Sequence, residues 1–142
     1  MNSPYRPKVF CPQNGQLYFY ILPCTDKLFS SKRFDHADSR DRDNFFLGNC
    51  FETEKEVAAA IEWLQVRALL RYYASQELWD PKTAFRIMWR ENIGTNLNSD
   101  FYLDFSEYEY SDGIYFPSRK AFEYALERIG EERVKKYLRI NL

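Results

Sequence analysis

The stretch Phe45–Tyr73, FFLGNCFETEKEVAAAIEWLQVRALLRYY, sets the tightest limit on how this chain folds. It reads as a turn at Gly48, a capped start at Thr53 and one long helix from Glu54 to Ser75. Thr53 with Glu56 three residues on is a capping box, in which hydroxyl and carboxylate satisfy backbone donors at the helix start. Val57, Ala60, Ile61, Leu64 and Ala68 recur at helical spacing and define a face for the core. Trp63, Val66, Leu70 and Tyr73 form a second apolar stripe beside the first. So wide an apolar surface covers a sheet and meets something further: the second helix, the proline-rich N-terminal arm or another subunit. A two-fold dimer needs only one self-complementary patch. Trp63, Val66, Leu70 and Tyr73 are therefore the expected oligomer interface.

The stretch has an echo. Gly48 to Leu64 aligns without gaps on Gly113 to Ile129, matching Gly48 with Gly113, Phe51 with Phe116 and Thr53 with Ser118. The shared residues fix a turn, a cap and a core face, which suggests two similar ββα-like units. The remaining elements follow in order. Residues 1–15, with Pro4, Pro7 and Pro12 and an Asn14-Gly15 turn, read as an irregular arm. Residues 16–142 read as one domain. Gln16–Leu22 and Lys27–Phe34 form a hairpin, Ala84–Glu91 and Phe101–Tyr110 two further strands, and Ile114–Phe116 a short last one. Ser118 caps a second helix that Gly130 ends, and helical spacing resumes over Glu131–Leu138. The order β-β-α-β-β-β-α, with strands joined by turns, predicts an α+β fold: an antiparallel sheet covered by two main helices.

Composition narrows the class of function. The chain has 20 Lys+Arg against 21 Asp+Glu, a net charge of −1. A duplex-binding surface normally carries a basic excess, so this balance weighs against nucleic acid. Aromatic residues make up 18%, with 12 Phe and 11 Tyr. Eleven hydroxyls must reach water or polar partners, which suits either a tyrosine-rich sheet or a wet binding surface. There is no secretion signal at the N-terminus and no apolar run long enough to cross a membrane, so a cytoplasmic protein with reduced thiols is expected.

Enzyme constellations are thin. His36 is the single histidine and lacks a nucleophile beside it in sequence. Cys11, Cys24, His36 and Cys50 lack the close pairing of a zinc site, so no metal and no cofactor is expected. Glu107 and Glu109 alternate on a strand in the manner of solvent-facing residues. Asp35–Asn44, DHADSRDRDN, reads as a charged, solvated loop in which Arg40 and Arg42 offer planar donors to a phosphate or carboxylate. Arg86 and Arg90, beside the tyrosine-rich strand residues Tyr102, Tyr108 and Tyr110, suit an anionic planar ligand or a protein partner equally. Ordinary cross-strand packing accounts for them as well.

Taken together, Gly48, Asn49, Phe51, Thr53 and Glu56, with Tyr115, Phe116, Ser118, Ala125, Ile129, Gly130, Glu131, Arg133, Lys135, Lys136 and Tyr137, carry a resemblance. From Leu17 to Leu142 the chain resembles a small domain of uncharacterised bacteriophage and prophage proteins. That domain has a GN-x-F-x-T-x-E-E-A helix start and a C-terminal YF-x-S…IGE-x-R-x-K-K-Y element. Val57 stands where the pattern has Ala, and Asn44 where a basic residue often precedes the glycine. The resemblance implies a phage accessory protein of the infected host's cytoplasm. Such a protein counters host defence by binding a defence protein or sequestering a nucleotide-derived signal. A nucleic-acid-associated regulator is the alternative, and a small enzyme the third reading.

Overall fold

In a computed structural model the structure describes residues 9–76, 85–89, 101–105 and 114–141. The elements are β1 (Leu17–Ile21), β2 (Phe29–Arg33), α1 (Ser39–Phe46), α2 (Glu54–Ala74), β3 (Phe85–Trp89), β4 (Phe101–Phe105), β5 (Tyr115–Phe116), α3 (Arg119–Ile129) and α4 (Glu131–Asn141). The fold is α+β and its strands pair antiparallel, as the turn-rich sequence requires. The strands form two sheets rather than one, β1-β2 and β4-β3-β5. The described residues gather into two compact units, within 7–64 and 65–142, whose boundary falls inside α2.

In residues 7–64, β1 pairs with β2 along its length, Phe19 opposite Ser31. On its other edge Phe19 and Phe51 exchange both backbone hydrogen bonds, each 2.9 Å. β1 is thus the middle of three segments. In residues 65–142, β3 lies between β4 and β5, with Phe85 opposite both Phe105 and Phe116. In each unit the first strand is central, flanked on its far edge by the Phe51 bridge in one and by β5 in the other. A capped helix follows that flanking segment at Thr53 and at Ser118. Thr53 Oγ1 accepts from the Glu56 amide at 3.2 Å, and Ser118 Oγ from the Ala121 amide at 3.1 Å. The return bond of the first box shifts by one residue: Glu56 Oε2 accepts from the Glu52 amide, at 3.1 Å.

The interior differs between the units. Tyr18, Phe34 and Cys50 form the core of the first, with Phe10, Tyr20 and Phe45 packed against them. In the second, Phe116, Phe122, Ala125, Ile129 and Val134 are buried, and Phe116 meets Phe122 edge-on at 5.4 Å. α3 ends at Gly130, whose φ of 108° is one that a side chain rarely adopts, so glycine permits α4 to start at once.

Two readings of α2 are corrected. Val57 is fully buried, but Leu64 and Ala68 of the expected core face are exposed. Val66 and Leu70, expected to meet a second subunit, have no exposed surface within the chain. Trp63 and Tyr73 are half-buried. From Val57 to Val66 the helix makes about two and a half turns. Val57 and Val66 therefore lie on opposite sides of the helix, and both are buried. Both stripes were legible as periodicity, but periodicity does not say which stripe is covered.

Candidate functional site

The charged segment 35–44 is not a solvated loop. Asp38 caps α1, its carboxylate accepting from the amides of Arg40 at 2.8 Å and Asp41 at 3.4 Å. Gly48, with φ of 72°, lets the chain leave the helix. The helix holds because its third residue, Asp41, is buried completely and anchored. Asp41 Oδ1 accepts from the Tyr18 hydroxyl at 2.6 Å and faces Lys32 Nζ at 2.8 Å. Its Oδ2 accepts from the Asp35 amide at 2.9 Å. A buried carboxylate is tolerated when both oxygens are satisfied in this way.

The network continues across α1. Asn44 Nδ2 donates to the Tyr18 hydroxyl at 3.1 Å, and Asn49 Nδ2 donates to Asn44 Oδ1 at 3.0 Å. Asn49 then closes it on the sheet. Its Oδ1 accepts from the Ile21 amide at 2.7 Å, and its Nδ2 donates to the Ile21 carbonyl at 3.1 Å. The carboxamide thus takes both bonds that a further strand residue would make to β1. α1 is held to β1 at one end by Asp41 and at the other by Asn49.

The electrostatics suit a fixed network. Burial alone would raise the Asp41 carboxyl, but hydrogen bonds from Lys32, Tyr18 and the Asp35 amide leave it below the usual carboxylate range. The bond to Asp41 raises Lys32 above its ordinary value. Burial, then Asp41, pushes the Tyr18 hydroxyl far up. Burial, with lesser contributions from Asp41 and Cys11, raises the Cys50 thiol to about 11. These shifts deepen the charge state each group already has near pH 7, which suits a network that positions α1.

What the network presents is apolar. At the end of α1, Phe46 is 78% exposed and Leu47 is 81% exposed. Arg40 and Arg42 are exposed on α1 but do not converge, since positions two apart on a helix diverge by about 200°. Arg42 donates to the His36 carbonyl at 2.9 Å. His36 is exposed, its ring edge-on to Phe34 at 5.0 Å. Arg86 lies in β3 opposite Asp104 and Tyr102 in β4 opposite Met88, which places both on the same sheet. Arg90, Tyr108 and Tyr110 lie outside the described residues, as do Glu107 and Glu109. Among the described residues no group of His, Cys, Asp or Glu side chains is arranged to hold a metal ion, and no helix is long and apolar enough to cross a membrane.

A second exposed cluster was missed from sequence. On α2 and α3, Tyr72 packs edge-on to Tyr73 at 5.2 Å and Tyr73 to Tyr124 at 5.7 Å. The Arg128 guanidinium lies 5.1 Å from the centre of the Tyr124 ring. The i, i+4 spacing of Tyr124 and Arg128 was the available signal. No protein-family model matches the chain, and no curated protein or solved structure matches it either.

Proposed function

We propose that the chain is an accessory binding protein that engages a host protein through the exposed end of α1. The observation that carries this reading is the pairing of exposed Phe46 and Leu47 with a helix pinned by buried Asp41. Two adjacent large apolar side chains in water are a liability, and rigid presentation is what a partner-binding anchor needs. A protein target is favoured over a nucleotide-derived signal because Arg40 and Arg42 point apart and make no phosphate clamp. The phage origin, the counter-defence role and the cytoplasm of the infected host rest on the resemblance of the GN-x-F-x-T and YF-x-S elements.

The test compares capture from a bacterial host lysate by the wild-type chain and by the double variant Phe46→Asp/Leu47→Asp. The expected result is a protein retained by the wild type and lost by the variant, with melting temperature unchanged. Equal retention by both would overturn the reading.

A further inference from the structure

We propose that two copies of this chain associate edge to edge through β2, joining two hairpins into one continuous antiparallel sheet. The hydrogen-bond phase of the hairpin carries the argument. The Leu22 amide donates to the Leu28 carbonyl at 2.8 Å, and the Phe34 amide to the Gln16 carbonyl at 2.9 Å. Bonded and unbonded pairs alternate along an antiparallel ladder, so Tyr18 with Lys32 and Tyr20 with Ser30 are bonded pairs. The backbone groups of Phe29, Ser31 and Arg33 therefore point away from β1. The same phase turns Phe19 and Ile21 to the opposite edge, where Phe51 and Asn49 meet them. The outer edge of β2 is open. Among the described residues the outward amides and carbonyls of Ser31 and Arg33 have no partner, and both residues are exposed. The Phe29 carbonyl accepts from the Thr25 hydroxyl at 3.3 Å and keeps a second lone pair. Charged side chains commonly guard such an edge. Here they are engaged elsewhere: Lys32 faces Asp41 at 2.8 Å, and Arg33 donates to the Gly15 carbonyl at 3.0 Å.

The side chains along β2 identify the occupant as a second copy. A two-fold axis beside Ser31 sets Ser31 opposite Ser31 of the other copy, Ser30 opposite Lys32 and Phe29 opposite Arg33. Outward backbone groups then meet outward backbone groups, and no like charges face each other. Facing residues share one face of a sheet, so the half-buried Phe29 ring lies beside the Arg33 side chain of the other copy. Sliding the copies by two residues one way sets Lys32 opposite Lys32. Sliding them the other way brings Lys27 opposite Arg33. Charge thus selects the register. The sheet also stands to gain from the pairing. It has two strands and one isolated bridge, Phe19 with Phe51, and a two-stranded sheet is marginal alone. The contact uses neither Phe46 and Leu47 of α1 nor Val66 and Leu70, which have no exposed surface.

Sedimentation equilibrium of the full chain and of variants at exposed Ser31 tests the proposal. The wild type is expected to dimerise. Ser31→Glu and Ser31→Lys each set like charges face to face across the axis, and each should weaken the dimer about fivefold. Mixed together, the two variants should form a heterodimer tighter than either homodimer, a rescue that a folding defect would not give. Ser31→Pro removes an outward amide that β1 does not use, so it should abolish the dimer and keep the hairpin. A wild type monomeric at every concentration reached would overturn the proposal and leave the edge to an extended segment of another protein. So would a mixture no tighter than either variant alone, or a dimer that survives Ser31→Pro.

Discussion

Residues 7–64 and 65–142 each set their first strand between two paired segments and fill their interiors differently. In both, the first strand is central, a third segment adds to its far edge and a helix-capping residue stands two positions later. The second unit closes on Phe116, fully buried against Phe122. The first places α1 between its second strand and Phe51, leaves Phe51 half-buried and relies on a buried carboxylate. Where Asn49 plugs the edge of β1, the matching position of the second unit is Ile114. The difference teaches what a polar interior is for. An apolar core tolerates small slides of a helix. A network of directional bonds admits one placement, which suits a helix that must present two exposed apolar side chains.

The comparison is sharpest at the paired phenylalanines. Phe116→Ala should cost about 3–5 kcal/mol, the range for emptying a buried aromatic site, whereas Phe51→Ala should cost clearly less. Urea denaturation of both variants checks the ranking, and equal losses would break the contrast.

Next in size is the polar anchor. Asp41→Ala strands the Tyr18 hydroxyl and the Asp35 amide, and should cost about 3 kcal/mol in chemical denaturation. Lys32, whose side chain is 34% exposed, turns to water and keeps the loss from being larger.

The pH dependence follows from the same group. Asp41 has a folded-state value below its unfolded one. Its contribution is therefore fully present above about pH 4 and is lost as pH falls through the folded value. At the alkaline end Lys32 and Tyr18 are both raised, so their contributions fade above about pH 10. Melting temperature against pH should fall at both ends, and the Asp41→Ala variant should lose much of the acid limb.

The smallest expected effect is the one the units share. Thr53→Ala and Ser118→Ala should each cost about 1 kcal/mol, because each hydroxyl satisfies one amide at its helix start. A large difference between the two would show that the caps are not equivalent.

Features decided by neighbours in sequence were legible from it. β1 lies within the expected Gln16–Leu22, and Thr53, Ser118 and Gly130 act where turn and cap chemistry placed them. The residues that the sequence pattern singles out at these turns have structural parts to play: Gly48 turns, Asn49 plugs an edge, Phe51 bridges, Thr53 and Ser118 cap. α1 was hidden because its polar surface gives no helical periodicity and its anchor is a tertiary bond to Tyr18, 23 positions away. Asp38 before a short segment ending at Gly48 was the local clue. The tyrosine cluster was hidden because Tyr73 and Tyr124 meet only through folding.

Residue-resolved hydrogen exchange of wild type and Asp41→Asn tests most directly whether Asp41 pins α1. The variant should lose protection at Arg42, Leu47 and Gly48, whose amides bond within and just after α1, and at Ile21, held by Asn49. Phe122 and Gly130 of the second unit, bonded to Ser118 and Leu126, should keep theirs. Unchanged protection across α1 would contradict the account, and so would a loss spread evenly over α1 and α3.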